Sequence, residues 1–165
     1  MPARKTQAMR VLDAKRIPYE ATVYDNAGEF HTAEEAAAML GVPLSAMYKT
    51  LVDLRDATGK SRPLIVMIAS DTELDLKLLA ASLGEKKLRM ASQKEGERLT
   101  GIQVGGISVL GQRNASAFDV LIDERARNLE TIHISAGERG IEIVMRTADL
   151  VVVSGGRYVR ATGEA

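Results

Sequence analysis

An α/β fold built on a mixed sheet is what this sequence predicts, and three observations predict it. Helix-capping signatures crowd into the first hundred residues: Thr32-Ala-Glu-Glu35, Asp75 and Ser92-Gln-Lys-Glu95. Short β-branched runs bounded by Gly, Asn and Asp are spread along the chain. At 165 residues, 45% of them hydrophobic and 27% charged, the chain can bury a core without staples. No internal repeat, low-complexity tract or linker interrupts it, so residues 1–165 read as a single domain.

Each element follows from a local signal. Residues 5–16 carry Ala8, Val11 and Leu12 at helical spacing, and Pro18 closes that segment. YEATVY (19–24) alternates like a strand. The Thr32 box opens a helix through AAAML that stops at Gly41, with Pro43 beyond. YKTLVDLR (48–55) and PLIVMIA (63–69) read as two strands of a hairpin around the turn-rich DATGKS. Asp75 caps a helix with Leu76, Leu79, Ala80 and Leu83 on one face, ended by Gly84. The Ser92 box starts another, which runs to Gly101. FDVLID (118–123), TIHIS (131–135), IEIVM (141–145) and LVVV (150–153) read as strands, and the last six residues, RATGEA, as a frayed end.

Composition excludes several classes. The 22 basic and 22 acidic residues cancel, so any polyanion must be met by a local patch. Two clusters qualify: Arg4, Lys5, Arg10, Lys15 and Arg16, then Lys86, Lys87, Arg89, Lys94 and Arg98. Such clusters are more often just a solvated face. With 4% aromatic residues, stacking platforms for single strands are scarce. The absence of cysteine removes disulfides, thiolate nucleophiles and cysteine metal sites, and fits a cytoplasmic location. The N-terminus has no continuous apolar stretch of a signal peptide, and no run approaches the roughly 18 apolar residues of a membrane span. With only His31 and His133 available, no metal and no cofactor is expected.

Three places could carry chemistry. GIQVGGISVLG (101–111) puts four glycines among apolar residues. It matches neither a phosphate loop nor a dinucleotide fingerprint. Gly105-Gly106 could turn bare N–H groups toward a carboxylate, phosphate or oxyanion, or could simply let two backbones pack closely. Lys49 opens a strand with Tyr48 and Thr50 on the opposite face. If Leu51 marks the inward face, Lys49 shares it and lines a pocket, unless it snorkels to solvent. His133, Ser135 and Asp123 suggest a catalytic triad, but residues two apart on a strand stand roughly 7 Å apart, too far for general-base contact. His31, just before a helix cap, reads as a solvated loop residue.

In order along the chain, YKTLVDL, ELDLKLLAASLGEKKLRMAS, TGIQVGGISVLGQ, LIDE and TIHISAGERGIEI resemble the YbaK/EbsC family. These are free-standing aminoacyl-tRNA deacylases related to the editing insertion of bacterial prolyl-tRNA synthetase. The resemblance runs from about Met9 to about Leu150 and is strongest to the Cys-tRNA(Pro) deacylases. It implies a mixed, mainly antiparallel sheet or partial barrel flanked by helices. It implies that Lys49 holds the charged 3′ end of the tRNA and that Gly105 and Gly106 line the acyl site. Ser108, Ser135 and Gly137 fall in the neighbouring small-residue walls. Tyr24 matches a pocket tyrosine, and Thr32, with Phe30 beside it, falls opposite a position that is aromatic in some members. In the cysteine-specific members the cargo's own thiol attacks the ester, so no protein nucleophile is needed. Prolyl-tRNA synthetase is the implied recruiting partner. Val109 replaces a frequent proline, Ala136 a glycine of the pocket floor, and Glu138 a lysine that would meet RNA. Three alternatives stay open: a relative clearing alanine, serine or threonine with water, a non-catalytic tRNA- or synthetase-binding module, and a small-molecule binder.

Overall fold

A computed structural model describes residues 4–55, 58, 60–112 and 117–163. Part of the expected DATGKS turn, and the last two residues of RATGEA, lie outside them. Helix α1 (Gln7–Ala14) starts where the Thr6 hydroxyl accepts from the Met9 N–H, and buries Ala8, Met9 and Leu12 on one face. Strand β1 (Tyr19–Val23) follows, then α2 (Ala33–Leu40), capped by Thr32 and stopped by left-handed Gly41. A short 3₁₀ turn, Leu44–Ala46, delivers the chain into β2 (Tyr48–Leu54) and β3 (Leu64–Ala69). Helix α3 (Leu76–Leu83) begins at Asp75 as its capping residue predicts. After β4 (Arg89–Met90) comes α4 (Gln93–Thr100), whose Ser92–Glu95 capping box is complete. The rest is β5 (Asp119–Asp123), a 3₁₀ turn over Glu124–Asn128, β6 (Thr131–Ser135), β7 (Ile141–Arg146), α5 (Thr147–Ser154) and β8 (Arg157–Val159).

The strands form two sheets rather than one. A three-stranded antiparallel sheet runs β1-β7-β6, and a five-stranded mixed sheet runs β4-β2-β3-β5-β8. Within the larger sheet β2 pairs antiparallel with β3 and β4, whereas β3–β5 and β5–β8 are parallel. A single bridge from Met47 to His133 joins the sheets where β2 begins. Between them lies the main core, with Met9, Val52, Met67, Ile122, Ile132 and Ile143 fully or nearly buried. The outer face of the larger sheet packs Leu64, Val66, Ile68 and Leu121 against Leu79 and Ala80 of α3. β3 is therefore buried on both faces, which explains why PLIVMIA shows no polar alternation.

Two expectations are corrected. LVVV (150–153) is not a strand but the middle of α5: Leu150 and Thr147 are buried while Val152 is 80% exposed. The modest helix penalty of valine is overridden by burial of Leu150 and the left-handed stop at Gly155. Residues 160–163 are not frayed either. The buried Asp123 carboxylate accepts from the N–H groups of Ala161 and Thr162 and from the Thr162 hydroxyl, and Thr162 bridges to Leu74. Asp123 is thus a structural anchor, already committed to the chain's end.

Candidate active site

The start of β2, the loop before α2, the glycine stretch and the β6–β7 turn converge on one cavity of about 310 Å³. It is lined by Tyr24, Phe30, Thr32, Lys49, Gly105 and Ser135, and in addition by His31 and Glu142. A larger cleft, about 540 Å³, opens between residues 71–77 and Thr162 but holds none of the expected site residues.

β2 runs along the cavity wall, with Tyr48, Lys49, Thr50 and Leu51 all bordering it. The face assignment made from alternation is reversed in one respect. Tyr48 and Val52 point into the core between the sheets, and Leu51 packs with the outer cluster, so Leu51 does not mark the main core. Lys49, the second residue of β2, is half-buried and borders the cavity. Among the described residues its ammonium has no ion-pair partner.

The two glycines do different things. Gly105 has φ +89°, a conformation L side chains avoid, and a Cβ there would meet the Phe30 ring at 2.8 Å. Gly106 is a packing glycine: a Cβ would sit 2.8 Å from the Arg139 nitrogen and 2.9 Å from the Glu138 carbonyl carbon. Its N–H donates to the Gln103 carbonyl at 3.0 Å, closing a turn. Gly106 is therefore not an oxyanion donor; only Gly105 of the pair borders the cavity, and its N–H has no partner among the described residues.

Ser135 ties the walls together. Its hydroxyl donates to the Gly106 carbonyl at 2.8 Å and accepts from the Gly137 N–H at 3.1 Å. A hydroxyl whose hydrogen is so engaged is poorly placed to be a nucleophile. Ser108 and Gly137 do not line the cavity. Ser108 is fully buried, its Oγ accepting from the Leu110 N–H, and Gly137, at φ +95°, supports the turn from behind. The sequence departures sit outside the cavity too: Val109 and Ala136 are buried in the core, and Glu138 pairs with Arg4 at 2.9 Å.

His31 is the largest correction. It is no solvated residue: its Nε2 lies 2.7 Å from Asp25 and its Nδ1 3.3 Å from Glu35, with the side chain 14% exposed. Asp25 first, then Glu35, raises the imidazole above its ordinary pKa, while the Ala27 N–H and His31 hold Asp25 below the usual carboxylate range. The i, i+4 spacing to Glu35 was a readable signal; the contact to Asp25 was not. Glu142 was missed as well. Almost buried on β7, it borders the cavity while its Oε1 lies 2.6 Å from His133 Nδ1. His133 thus orients a carboxylate rather than a serine. Burial, and behind it the Glu142 charge, pushes the Tyr24 phenol up. No group of three or more His, Asp or Glu among the described residues is placed to hold a metal ion.

Known proteins resemble this chain in sequence and in fold. Residues 27–152 match the family model for an aminoacyl-tRNA editing domain. The chain is 32% identical over 159 residues to EbsC of Enterococcus faecalis, named as a Cys-tRNA(Pro)/Cys-tRNA(Cys) deacylase, covering 96% of this chain and 94% of that protein. It is 26% identical over 115 residues to a proline–tRNA ligase of Limosilactobacillus fermentum, covering 69% of this chain but 20% of the ligase. Among solved structures, a protein described as a trans-editing enzyme for prolyl-tRNA synthetase superposes with a TM-score of 0.79 at 20% identity, covering 98% of this chain and all of that one. The hypothetical protein APE2540 gives 0.83 at 22% identity, covering 95% and 99%. At those identities both matches speak to the fold.

Proposed function

The chain belongs to the aminoacyl-tRNA editing domain family, and from that premise we propose that it is a free-standing deacylase that cleaves the ester of Cys-tRNA(Pro). The observation that carries this reading is a cavity with a cation, a carboxylate and a bare N–H, but no cysteine and, among the described residues, no lining hydroxyl hydrogen-bonded to a histidine. Ser135 spends its hydrogen on Gly106, both nitrogens of His31 face carboxylates, and the sequence has no cysteine. Such a cavity suits attack by the cargo itself or by water.

With cysteine as cargo, the thiol sulfur attacks its own ester carbonyl. The S–C bond forms, the carbonyl oxygen becomes an oxyanion, and the C–O bond to the ribose breaks. The thiol proton leaves with the ribose oxygen, and water opens the resulting thiolactone to free cysteine. The protein's share is positioning and charge stabilisation, both large effects in their own right. Lys49 holds the charged 3′ end. The Gly105 N–H is the donor for the oxyanion. Glu142, fixed by His133, suits the α-ammonium that every aminoacyl ester carries. Tyr24 and Thr32 complete the walls. Prolyl-tRNA synthetase is the partner this reading would recruit, in the cytoplasm where translation runs; among the described residues no helix is long and apolar enough to cross a membrane.

A cavity of about 310 Å³ does not exclude alanine or serine by size. A second reading, deacylation of another mischarged amino acid by bound water, therefore stands beside the first. Deacylation of Cys-, Ala-, Ser- and Pro-tRNA(Pro) under identical conditions separates them. The thiol route predicts turnover of Cys-tRNA(Pro) with Ser-tRNA(Pro) untouched. Equal turnover of serine and cysteine overturns it in favour of water, and ester-independent tRNA binding without cleavage overturns both.

A further inference from the structure

Phe30 is out of place as a wall of an acyl pocket. Its side of the cavity is open, and at 53% exposure it is the sole aromatic among the described large apolar residues left exposed. One edge of its ring rests on the Cα of Gly105, close enough that a Cβ there would meet it at 2.8 Å. The Arg139 guanidinium lies 5.6 Å from the ring centroid. Arg139 is itself fixed, its Nε donating to the Val104 carbonyl at 2.7 Å. Its two terminal nitrogens have no partner among the described residues. That guanidinium borders the clefts outside the cavity, beside Arg4 and Gly28, whereas Phe30 borders the cavity itself. An anchored ring and an anchored cation thus stand in sequence from the mouth of the cavity outward.

We propose that Phe30 and Arg139 seat the terminal nucleotide of the acceptor strand: the exposed ring stacks the base, and the terminal nitrogens of the guanidinium take its 5′ phosphate. This rests on the deacylase reading and deepens it. An ester inside the cavity is joined through one ribose to a base and a phosphate that must lie outside it. An aromatic face is the sequence-tolerant receptor for a base, and a guanidinium with both terminal nitrogens free is the matching receptor for a phosphate. The pairing also explains why bare Gly105 lies under the ring: a side chain there would lift Phe30 away from Arg139. Lys49, inside the cavity, is left to the ribose and ester. The Arg4–Glu138 pair, just beyond, closes the far side of the same cleft.

The test uses the full chain and a cysteinyl-tRNA in which an amide replaces the ester and 2-aminopurine replaces the terminal adenine. Anisotropy of a dye on the 5′ end reports binding, and quenching of 2-aminopurine reports stacking. The wild type and Phe30→Tyr should both quench the fluorophore. Phe30→Ala, a change at an exposed side chain, should abolish the quench and weaken binding by about 5- to 150-fold. Arg139→Ala should keep the quench but lower the slope of log affinity against log salt by about 0.7, the value of one single-strand phosphate contact. Binding by the wild type without quenching, or equal quenching by Phe30→Ala, overturns the seat and leaves the deacylase reading intact. Failure of the wild type to bind the charged tRNA, together with no turnover of the ester, overturns the deacylase reading and the seat with it.

Discussion

The two walls of the cavity are held by opposite kinds of force. On one side the glycine stretch meets the β6–β7 turn backbone to backbone: Gly106 lies against residues 138–139, and Ser135 bonds to the Gly106 carbonyl. On the other, the loop carrying Phe30 is fastened to α2 by an imidazole between two carboxylates, Asp25 and Glu35. The contacts that join the first wall are backbone packing and a serine hydroxyl, neither of which titrates, so the join should hold across pH. The second depends on the charge of a histidine. If the cavity is the acyl site proposed above, one rigid and one ionisable wall would keep the Gly105 N–H fixed while the entrance responds to conditions.

The sharpest way to break the first wall is Gly106→Ala. The new methyl has backbone on its far side, which cannot rotate away, so the two segments must separate by several tenths of an ångström. Overpacking of this kind costs about 1–3 kcal/mol, and displacement of a catalytic wall costs on the order of a hundredfold in rate. We expect kcat/KM for Cys-tRNA(Pro) to fall about a hundredfold with a lowered Tm. Unchanged kinetics with an unchanged Tm would show that this wall is softer than its contacts imply.

Lys49→Ala removes the cation that lies between the walls without touching either. A lost charge-assisted contact is worth about 1.5–3 kcal/mol, so kcat/KM should fall about tenfold to a hundredfold while thermal unfolding stays put. Full deacylation by this variant would remove Lys49 from the site.

Legibility followed the same division. Local devices were readable: the caps at Thr32, Asp75 and Ser92 and the stops at Gly41, Gly84 and Gly101 all stand where the residue types put them. Each is decided within four residues. What failed was decided at long range. Thr162 is ordered by Asp123, thirty-nine residues away, and no pattern around it says so. The three valines of α5 carry strand propensity, and only the packing of Leu150 overrules it. Within the cavity, recognition of the family motifs brought Lys49, Tyr24 and Gly105 together, yet the pairings His31–Asp25 and His133–Glu142 needed coordinates. Ser108 was drawn in by its neighbours and proves to lie behind the wall.

The ionisable wall is tested through His31→Gln. Its partners raise the pKa of His31, so the folded state holds the proton more tightly than the unfolded chain does. The stabilisation is therefore complete below the unfolded value near 6.5 and is lost as pH rises through the higher folded value. The Tm difference between wild type and His31→Gln should be largest near pH 6 and shrink toward pH 9, with a several-fold change in KM following it. A difference that stays flat with pH would mean that shape, not charge, fastens the loop.

Asp53 offers the smallest effect on turnover and the cleanest control. It lies on β2, fully buried, and neither carboxylate oxygen has a hydrogen-bond partner among the described residues. Burial alone pushes its pKa up to about 7. Between pH 4 and 7 the unfolded chain has released this proton while the folded chain keeps it, so the native state loses ground as pH rises, and the loss levels off above 7. Roughly three pK units correspond to about 4 kcal/mol at most. Asp53→Leu, similar in shape and without a charge to bury, should raise the urea midpoint by little at pH 4.5 and by much more at pH 8. Because neither wall moves, kcat/KM should remain within about twofold of wild type. If it instead rose with stability, activity would be tracking the fold as a whole, and the separate treatment of the two walls would lose its basis.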